Sequence, residues 1–458
     1  MNNWVLICVL LMLMAMAYQF GLSRSRSVAG ASQVRMHSRP GYYGLLVALW
    51  CGLPALAVFL LWSLFEPSII RSAVLDQLPA HLAGLQGAEL DVLMRRIQQI
   101  ASGFGVAGEP EAYELAAAER MRSLQDTGRL AMIASMAALG VAGLVHTLRR
   151  ISPKLRARNQ VETVFRVLLV VCSTIAILTT VGIVLSMVGE ALHFFRFVNP
   201  ADFFFGTVWN PRFSTTGTGG QGDFGLLPLL WGTLMVSFIA LLVAVPAGLM
   251  TAVYMAEYAP AWLRAVAKPV IEVLAGVPTI VYGFFALVVV GPFFFGAGQA
   301  VGIDIRATSA LTAGVVMGIM IIPFVSSLSD DIITQVPKTM RDGSLGLGAT
   351  KSETIRKVVL PAALPGIVGA FLLAASRAIG ETMIVVLAAG NSPVLHANPF
   401  EAVSTVTVTI VNQLTGDTDF ASPQSLVAFA LGLTLFVITL SLNVVALYIV
   451  RKYREQYE

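Results

Sequence analysis

Charged residues are scarce in this chain of 458 residues: they make up 12% of the sequence, whereas hydrophobic residues make up 56%. Soluble proteins carry roughly 25% charged residues. About half that share excludes an ordinary soluble domain and indicates an integral membrane protein. The formal net charge of +4 is small and the basic residues stand in short separate segments. The composition therefore gives no support for nucleic-acid binding.

Cysteine and histidine are also rare. The three cysteines, Cys8, Cys51 and Cys172, each fall inside an apolar run, which excludes a disulfide framework and a zinc-ligand spacing. The five histidines are scattered without metal-ligand spacing, and the sequence has no Ser/His/Asp set, Cys/His pair or HExxH motif. We expect no catalytic residue, no metal site and no cofactor.

Long apolar runs dominate what is present. A membrane-spanning helix needs about 20 apolar residues. The segments that qualify are residues 4–22, 42–65, 130–147, 167–190, 227–252, 269–295, 307–327, 366–390 and 426–450. The sequence thus predicts an all-α integral membrane protein with about nine transmembrane helices.

The positions of Lys and Arg predict the orientation of these helices. Basic residues are concentrated at 23–41, at 148–166 and in the C-terminal tail, whereas residues 391–425 contain neither Lys nor Arg. With nine spans, this pattern predicts a multi-pass protein of the cell inner membrane with its N-terminus outside and its C-terminus cytoplasmic. The first apolar segment has no basic residue before Trp4 and no small-residue cleavage site, so we interpret it as a retained helix.

Two segments between the apolar runs are predicted to lie outside. Residues 66–129 carry apolar residues at helical spacing and should form two amphipathic helices, packed against the membrane or a partner subunit. A sensory role for this segment is the alternative. Residues 199–224, which contain Pro200, Pro211 and a run of Gly and Thr, are predicted to form an irregular loop.

One polar segment, Met340 to Pro365, interrupts the apolar C-terminal half. Its spacing resembles the EAA motif of ABC-transporter permeases (E-A-A-x3-G-x9-I-x-L-P), the cytoplasmic loop that docks onto the ATPase. The matching residues are Asp342, Gly343, Ser344, Gly348, Leu360 and Pro361. The resemblance implies two short helices joined by a turn at Gly348, the second of which Pro361 and Pro365 are expected to stop.

This loop also resembles a phosphate-binding loop, but only superficially. Gly343 and Gly348 precede Lys351 and Ser352, yet Ala349 and Thr350 intrude before the Lys-Ser pair. We therefore assign nucleotide binding to a separate ATPase.

Three further segments resemble the phosphate-specific transport (Pst) permeases, most of all the PstC-type subunit: PAGLMTAVYMAEY from Pro246, EVLAGVPTIVYGFFAL from Glu272 and RAIGET from Arg377. The similarity covers about residues 165–450. It implies a permease core at 166–458 with the six-helix type I (MetI-like) ABC importer fold. Within it, the ABC transmembrane type-1 domain lies at about 227–447 and the coupling loop at 341–361. Residues 1–165 are an N-terminal extension with three transmembrane helices.

The resemblance implies a non-enzymatic permease subunit that forms part of the translocation path of an ATP-driven phosphate importer. The implied partners are a second permease subunit (PstA-type), an ATP-binding ATPase dimer (PstB-type), a periplasmic phosphate-binding protein (PstS-type) and membrane lipids. Two alternatives stay open. One is a type I permease for another oxyanion or small solute, and the other is a non-transporting membrane sensor on the same scaffold.

Arg377 and Glu381 stand at i and i+4 of an apolar segment, which would place them on one helical face. A charge near the bilayer centre costs at least ~2.5–3.5 kcal/mol on insertion scales, so such residues normally face a protein interior or a pathway. In one interpretation Arg377 attracts the phosphate anion while Glu381 tunes that charge, with Thr382 beside them in the path. The other interpretation is a buried structural ion pair. The family resemblance favours the path.

Pro278, with Glu272 upstream and Tyr282 downstream, marks a weak point in the sixth span. Proline lacks an amide donor, so it can break or kink a membrane helix. A broken helix near the midplane would supply a gate, and a simple packing kink is the alternative.

Two further sequence patterns give weaker structural predictions. Gly314 and Gly318 form a GxxxG pair suited to close helix contact. Thr405, Thr407 and Thr409 alternate with apolar residues, which fits either a short strand or one face of a re-entrant segment.

Overall fold

The computed structural model describes residues 3–32, 36–75, 88–103, 110–211, 222–416 and 422–454. Over these residues the chain forms seventeen α-helices, three short π-helical turns and one two-stranded antiparallel hairpin. In this described part, nine helices are long and apolar enough to cross a membrane. The predicted all-α membrane class and the number of spans are confirmed.

The described chain divides into two compact units, Met1–Ile177 and Leu178–Glu458. The first unit holds four helices and the start of a fifth: α1 (Asn3–Ser32), α2 (Pro40–Leu75), α3 (Ala88–Ser102), α4 (Ala112–Arg150) and α5 (Ala157–Phe194). Helix α2 packs along both α1 and α4. Close approach requires glycine at Gly143 in α4, because a Cβ atom there would overlap the carbonyl oxygen of Trp50.

The amphipathic insert differs from its prediction. Helix α3 is separate, and its Leu93 and Ile97 pack on Ala118 and Met121 of α4. The second amphipathic helix is not separate, since α4 runs without interruption from Ala112 into the third span. The reason is that its first turns bury their apolar face under α3 and meet no Gly or Pro before Gly128. Residues 76–87 and 104–109 of the predicted insert lie outside the described residues.

The second unit contains the remaining elements. The hairpin strands are β1 (Trp209–Asn210) and β2 (Asp223–Phe224). The π-helical turns are Tyr254–Tyr258, Ala286–Val290 and Ile355–Val359. The α-helices are α6 (Pro200–Phe205), α7 (Leu227–Val253), α8 (Ala261–Ala275), α9 (Thr279–Phe285), α10 (Gly291–Val301), α11 (Ala310–Gln335), α12 (Lys338–Gly346), α13 (Lys351–Thr354), α14 (Leu360–Ile379), α15 (Met383–Ala388), α16 (Val406–Gly416) and α17 (Pro423–Arg454).

Helices α7 and α11 form the core of this unit. A Cβ atom at Gly314 would lie 2.7 Å from Cβ of Ile239, and one at Gly318 would lie 2.8 Å from the carbonyl oxygen of Ala240. Only glycine allows this approach, so the GxxxG pair mediates close helix contact as predicted.

The prediction of an irregular loop at 199–224 is wrong for the residues that the structure describes there. Asn199 accepts a hydrogen bond from the Ala201 amide at 3.0 Å and begins α6, and β1 pairs with β2. Aromatic burial explains this order, because Phe203, Trp209 and Phe224 pack with Phe194 in one buried cluster. The Gly- and Thr-rich residues 212–221 lie outside the described residues.

The threonine alternation at Thr405, Thr407 and Thr409 is not a strand: α16 begins directly after Thr405. All three side chains are buried. The Thr409 hydroxyl donates to the Thr405 carbonyl at 2.9 Å, and the Thr405 and Thr407 hydroxyls lie 3.1 Å apart. Because these hydroxyls find partners within the helix, the β-branched residues tolerate a helical backbone here.

Candidate functional site

The predicted eighth span, 366–390, is interrupted at its centre. Helix α14 ends at Ile379, Gly380 follows as its C-cap, and α15 begins at Met383. Glu381 therefore does not continue the helix that carries Arg377, and the prediction that the two share one helical face is wrong. The Glu381 carboxylate instead accepts from the backbone amides of Thr382 and Met383, each at 3.2 Å. A carboxylate in this position satisfies amides that the first turn of α15 leaves unpaired.

The buried ion pair is also wrong. Among the described residues, no basic side-chain nitrogen lies within 4.0 Å of the Glu381 carboxylate. The guanidinium carbon of Arg377 lies 5.5 Å from the ring centroid of Phe324 on α11, a cation–π contact. Arg377 is exposed in the isolated chain, whereas Glu381 and Thr382 are half-buried. The break thus separates the two charges by giving each a different local partner.

The N-terminus of α16 meets this break. The Thr407 hydroxyl donates to the Glu381 carbonyl at 2.8 Å, and the Val406 amide donates to the Thr233 hydroxyl of α7 at 3.1 Å. The Thr407 hydroxyl of α16 therefore holds the break in the eighth span, and α16 is itself anchored to α7 through Thr233. The sequence contained one signal for this role, the Thr alternation, which fitted either a short strand or one face of a re-entrant segment.

A second break lies beside the first. The predicted sixth span, 269–295, is not one helix, because α8 ends at Ala275 and Pro278 stands before the first residue of α9. The Tyr282 hydroxyl donates to the Leu274 carbonyl at 3.0 Å, so it bridges the interruption. Gly283 allows close contact with α15, since a Cβ atom there would lie 2.9 Å from the Met383 carbonyl oxygen. The predicted break at Pro278 is present, and it adjoins the Glu381 region.

The EAA-like segment forms two helices joined by a turn. Helix α12 ends at Gly346, and Gly348 has φ +87°, a conformation that glycine adopts without a Cβ penalty. Thr350 then begins α13 by accepting from the Glu353 amide at 3.3 Å. The Ser344 and Thr354 hydroxyls, 2.9 Å apart, tie the two helices together.

The prolines after this turn do not stop the second helix, contrary to the prediction. Lys351–Ile379 is continuous, with Pro361 and Pro365 inside it. The π-helical turn Ile355–Val359 ends two residues before Pro361. A widened turn accommodates the proline ring and the carbonyl that lacks an amide donor, so the helix continues from the loop into the membrane-spanning segment.

The surface of this loop is open. Asp342, Gly343 and Gly348 are exposed, and Leu347, at the turn between the helices, is 92% exposed. The Leu347 side chain is therefore available for contact with another protein. Sequence inspection overlooked Leu347, because the EAA pattern leaves that position unspecified.

The loop is attached to α7 by charged side chains. The Arg341 guanidinium donates to the Val336 and Ile333 carbonyls at 2.6 and 2.7 Å and pairs with Glu257 at 2.9 Å. The Lys351 ammonium lies 5.0 Å from the ring centroid of Tyr258. These contacts join both helices of the loop to the π-helical turn that ends α7.

A second charged group joins α8 to α11. Asp330, 4% exposed, pairs with Arg264 at 3.0 Å and with Lys268 at 2.9 Å, and Lys268 also pairs with Asp331 at 2.7 Å. Hydrogen bonds to Asp331 and then to Asp330 raise the pKa of Lys268 above its ordinary value. The available sequence signal was the Asp330-Asp331 pair at the end of an apolar helix.

No His, Cys, Asp and Glu group of three or more in the described chain is placed to hold a metal ion. The site consists of helix breaks, hydroxyls and fixed charges. Such an arrangement can pass or bind a solute and transmit movement.

Comparison with known proteins identifies the class. A family model described as "Binding-protein-dependent transport system inner membrane component" matches residues 244–455, and one described as "Phosphate ATP-binding cassette transporter" matches residues 7–179. Probable ABC transporter permease protein YqgH of Bacillus subtilis is 36% identical over 279 residues, covering 60% of this chain and 86% of the relative.

Phosphate transport system permease proteins PstC are similar to a comparable extent. That of Mesorhizobium japonicum is 35% identical over 264 residues, covering 53% of this chain and 76% of the relative. That of Xylella fastidiosa (strain Temecula1) is 31% identical over 297 residues, covering 62% of this chain and 88% of the relative.

The fold and these matches define an ABC-transporter permease, a multi-pass inner-membrane component with a MetI-like core. Within that class, the chain belongs to the PstC family of permeases. The family predicted from the EAA-like loop and the VPTIVYG and RAIGET segments is confirmed, and the model matching residues 7–179 accounts for an N-terminal extension.

Proposed function

We propose that this chain is the permease subunit of an ATP-driven phosphate importer and forms part of its translocation path. The observation that carries the proposal is the helix break at Gly380–Thr382, which leaves the Arg377 guanidinium without a carboxylate within 4.0 Å among the described residues. Arginine stays charged at all physiological pH values. A fixed positive charge at a helix break in a membrane protein is suited to an anion.

Three residues near the break have different roles in this path: Arg377, Glu381 and Thr382. Arg377 attracts the phosphate anion through charge-assisted hydrogen bonds. Glu381 caps α15 with its carboxylate, so its negative charge faces the same region and keeps the anion from being held too tightly. The Thr382 hydroxyl, which now makes only a long 3.5 Å contact to the Gly380 carbonyl, can turn to a passing oxyanion.

Pro278 and Tyr282 form the gate. The α8–α9 interruption allows α9 to move without breaking a helical hydrogen bond at Pro278, which has no amide donor. The Tyr282–Leu274 hydrogen bond holds the closed form of that joint. Since Gly283 contacts α15, movement of α9 changes the space next to Glu381.

The loop at 341–361 couples the permease to the ATPase dimer. Its contact residues are Asp342, Gly343, Ser344, Gly348, Leu360 and Pro361. The helix pair inserts into a groove of the ATPase, and the continuous rod from Lys351 to Ile379 carries the displacement to the residue before the helix break. This length of rigid helix supports alternating access driven by ATP.

The proposed assembly contains a second permease subunit (PstA-type), ATPases (PstB-type) and a periplasmic phosphate-binding protein (PstS-type). The N-terminus lies outside and the C-terminus, with the 341–361 loop, in the cytoplasm. We assign residues 1–165 to the extension and 166–458 to the permease core, with the ABC transmembrane type-1 domain at about 227–447.

Labelled-phosphate uptake tests the proposal in cells lacking this chain, complemented with the wild type, Arg377→Gln or the loop double variant Asp342→Lys/Gly348→Trp. Wild type restores uptake, and both variants reach the membrane at wild-type levels but fail to transport. Arg196→Gln, the same change at an exposed arginine outside the path, serves as the control and transports normally.

The outcomes separate the parts of the proposal. Normal uptake by Arg377→Gln overturns the role of Arg377 in the anion path. Restoration by the wild type of uptake of another oxyanion or a small solute, but not of phosphate, overturns the substrate and keeps the permease. No restored uptake of any solute points to a sensor on this scaffold.

A further inference from the structure

A polar cavity of about 760 Å³ lies in the first unit, between α2, α3 and α4. Each of the three helices contributes one arginine to its lining: Arg71 from α2, Arg95 from α3 and Arg129 from α4. Among the described lining residues, the acidic Glu66 and Asp126 leave an excess of one positive charge. A cavity of this size accommodates a small-molecule group, and its charge favours an anion.

An apolar groove of about 620 Å³ adjoins this cavity, and the two share Glu66 and Ile70. Leu61, Phe65 and Ile69 line it from α2 at a helical spacing that places them on one face. Gly128 and Ala131 of α4 form part of the opposite wall, where their small size leaves the groove open.

The groove contains one polar atom that needs a partner. The indole Nε1 of Trp62 is buried, and no acceptor among the described residues hydrogen-bonds to it. A buried N–H group is costly unless it is paired. The occupant of the groove is therefore expected to be apolar along most of its length and to carry an acceptor near Trp62.

The groove reaches further into the apolar part of α2 and α4 than the cavity does. Helix α2 has no charged residue from Val58 to Phe65 and becomes charged at Glu66 and Arg71, while antiparallel α4 carries charges before Leu130 and has none from Leu130 to Leu148. The cavity and the groove overlap along both helices, and the groove extends further into their apolar part, to Val58 and Ser135, whereas the cavity ends at Ser63 and Met132.

We propose that the cavity and groove together bind one anionic phospholipid. Its phosphodiester lies among Arg71, Arg95 and Arg129, an ester carbonyl accepts from Trp62, and an acyl chain lies along Leu61 and Phe65. The shared chemistry is that of a phosphoryl oxyanion, which free phosphate also offers. The adjoining apolar groove and the Trp62 donor favour the lipid, because free phosphate fills neither.

Native mass spectrometry of the full chain tests this proposal after release from nanodiscs of equal parts phosphatidylglycerol and phosphatidylcholine. Wild type retains one phosphatidylglycerol in preference to phosphatidylcholine. Arg71→Gln/Arg129→Gln lowers that retention by ~10-fold or more, the loss expected when charge-assisted hydrogen bonds are removed. Arg122→Gln, an exposed arginine on α4 that does not line the cavity, is the matched control and retains the lipid.

Trp62→Phe gives a second measurement that does not depend on the arginine variants folding. It keeps the ring and removes the donor, so lipid retention falls by about 3-fold. Equal retention of both lipids by wild type, or unchanged retention in both the double variant and Trp62→Phe, overturns the proposal. Calorimetric titration of the delipidated chain with inorganic phosphate distinguishes the source, since arginine-dependent phosphate binding without lipid preference would overturn the lipid in favour of the free anion.

Discussion

Arg341 Nε donates a hydrogen bond to Glu257 Oε1 at 3.0 Å, and this bond links the first helix of the coupling loop to the turn that ends α7. The two side chains are 17% and 11% exposed, so the pair is screened from solvent more than a surface ion pair. Through α7 and its close packing on α11, a displacement of the loop reaches the core of the permease. In the proposed coupling mechanism, this pair is the mechanical link between the loop and α7.

Removing the Glu257 charge should lower both the stability of the chain and its phosphate uptake, and the two effects can be measured separately. Glu257→Gln should destabilise the chain by about 2 kcal/mol, because a partly buried charged hydrogen bond is lost, and it should reduce phosphate uptake. Denaturation in detergent and uptake in complemented cells measure the two effects. Glu162→Gln is the matched control: its pair with Arg158 on α5 lies outside the loop and both side chains are exposed, so we expect a much smaller loss of stability. Equal effects of the two variants would contradict the mechanical role.

Leu347 provides a test of the docking surface. Leu347→Gln should fold normally, since the side chain is 92% exposed and supports no core, but it should weaken association with the ATPase. Co-purification of the ATPase with the tagged permease measures this loss. Leu395→Gln makes the same change at a leucine that is 43% exposed on the loop before α16. If Leu347→Gln retains the ATPase as well as Leu395→Gln does, the turn is not part of the docking surface.

Apolar run length predicted the spans well because a bilayer demands about 20 apolar residues whatever the tertiary packing. Helix breaks inside those runs were predicted less well. Pro278 marked one break by its missing amide donor, but Gly380 gave no comparable signal, and an i and i+4 spacing there suggested a continuous helix. Conversely, Pro361 suggested a helix end where a π-helical turn keeps the helix intact.

Pairings between distant segments could not be predicted from spacing at all. Arg264 and Lys268 lie more than 60 residues from Asp330 in the sequence, and only the packing of α8 on α11 brings them together. The Thr407 contact with Glu381 likewise depends on where α16 enters the core. The family resemblance pointed to the 341–361 loop and the Arg377 region, whereas the hydrogen bonds and ion pairs around them could be identified only from the fold.

A substitution that removes the Tyr282 hydroxyl tests whether the break at Pro278 acts as a gate. Tyr282→Phe removes the hydrogen bond that bridges α8 and α9, which should loosen the joint by about 1 kcal/mol, the usual net value for a neutral hydrogen bond. We expect faster accessibility of cysteines introduced beside the break and an altered uptake rate. Tyr258→Phe is the control, because it keeps the ring that contacts Lys351. If the introduced cysteines are equally accessible in the two variants, the break at Pro278 is a packing kink and not a gate.

The charged residues that join α8 to α11 should make the stability of the folded chain depend on pH in the alkaline range. Its hydrogen bonds to Asp331 and Asp330 raise the pKa of Lys268 in the folded chain, so the folded state binds this proton more tightly than the unfolded state does. The stabilisation is therefore fully present below the ordinary lysine pKa of about 10.4 and is lost as pH rises through the raised folded value. Unfolding measured against pH should show wild type losing stability over that range relative to Lys268→Met, in which no proton is released at this position. A constant difference between the two proteins across that range would show that the Lys268 charge contributes nothing to the joint between α8 and α11.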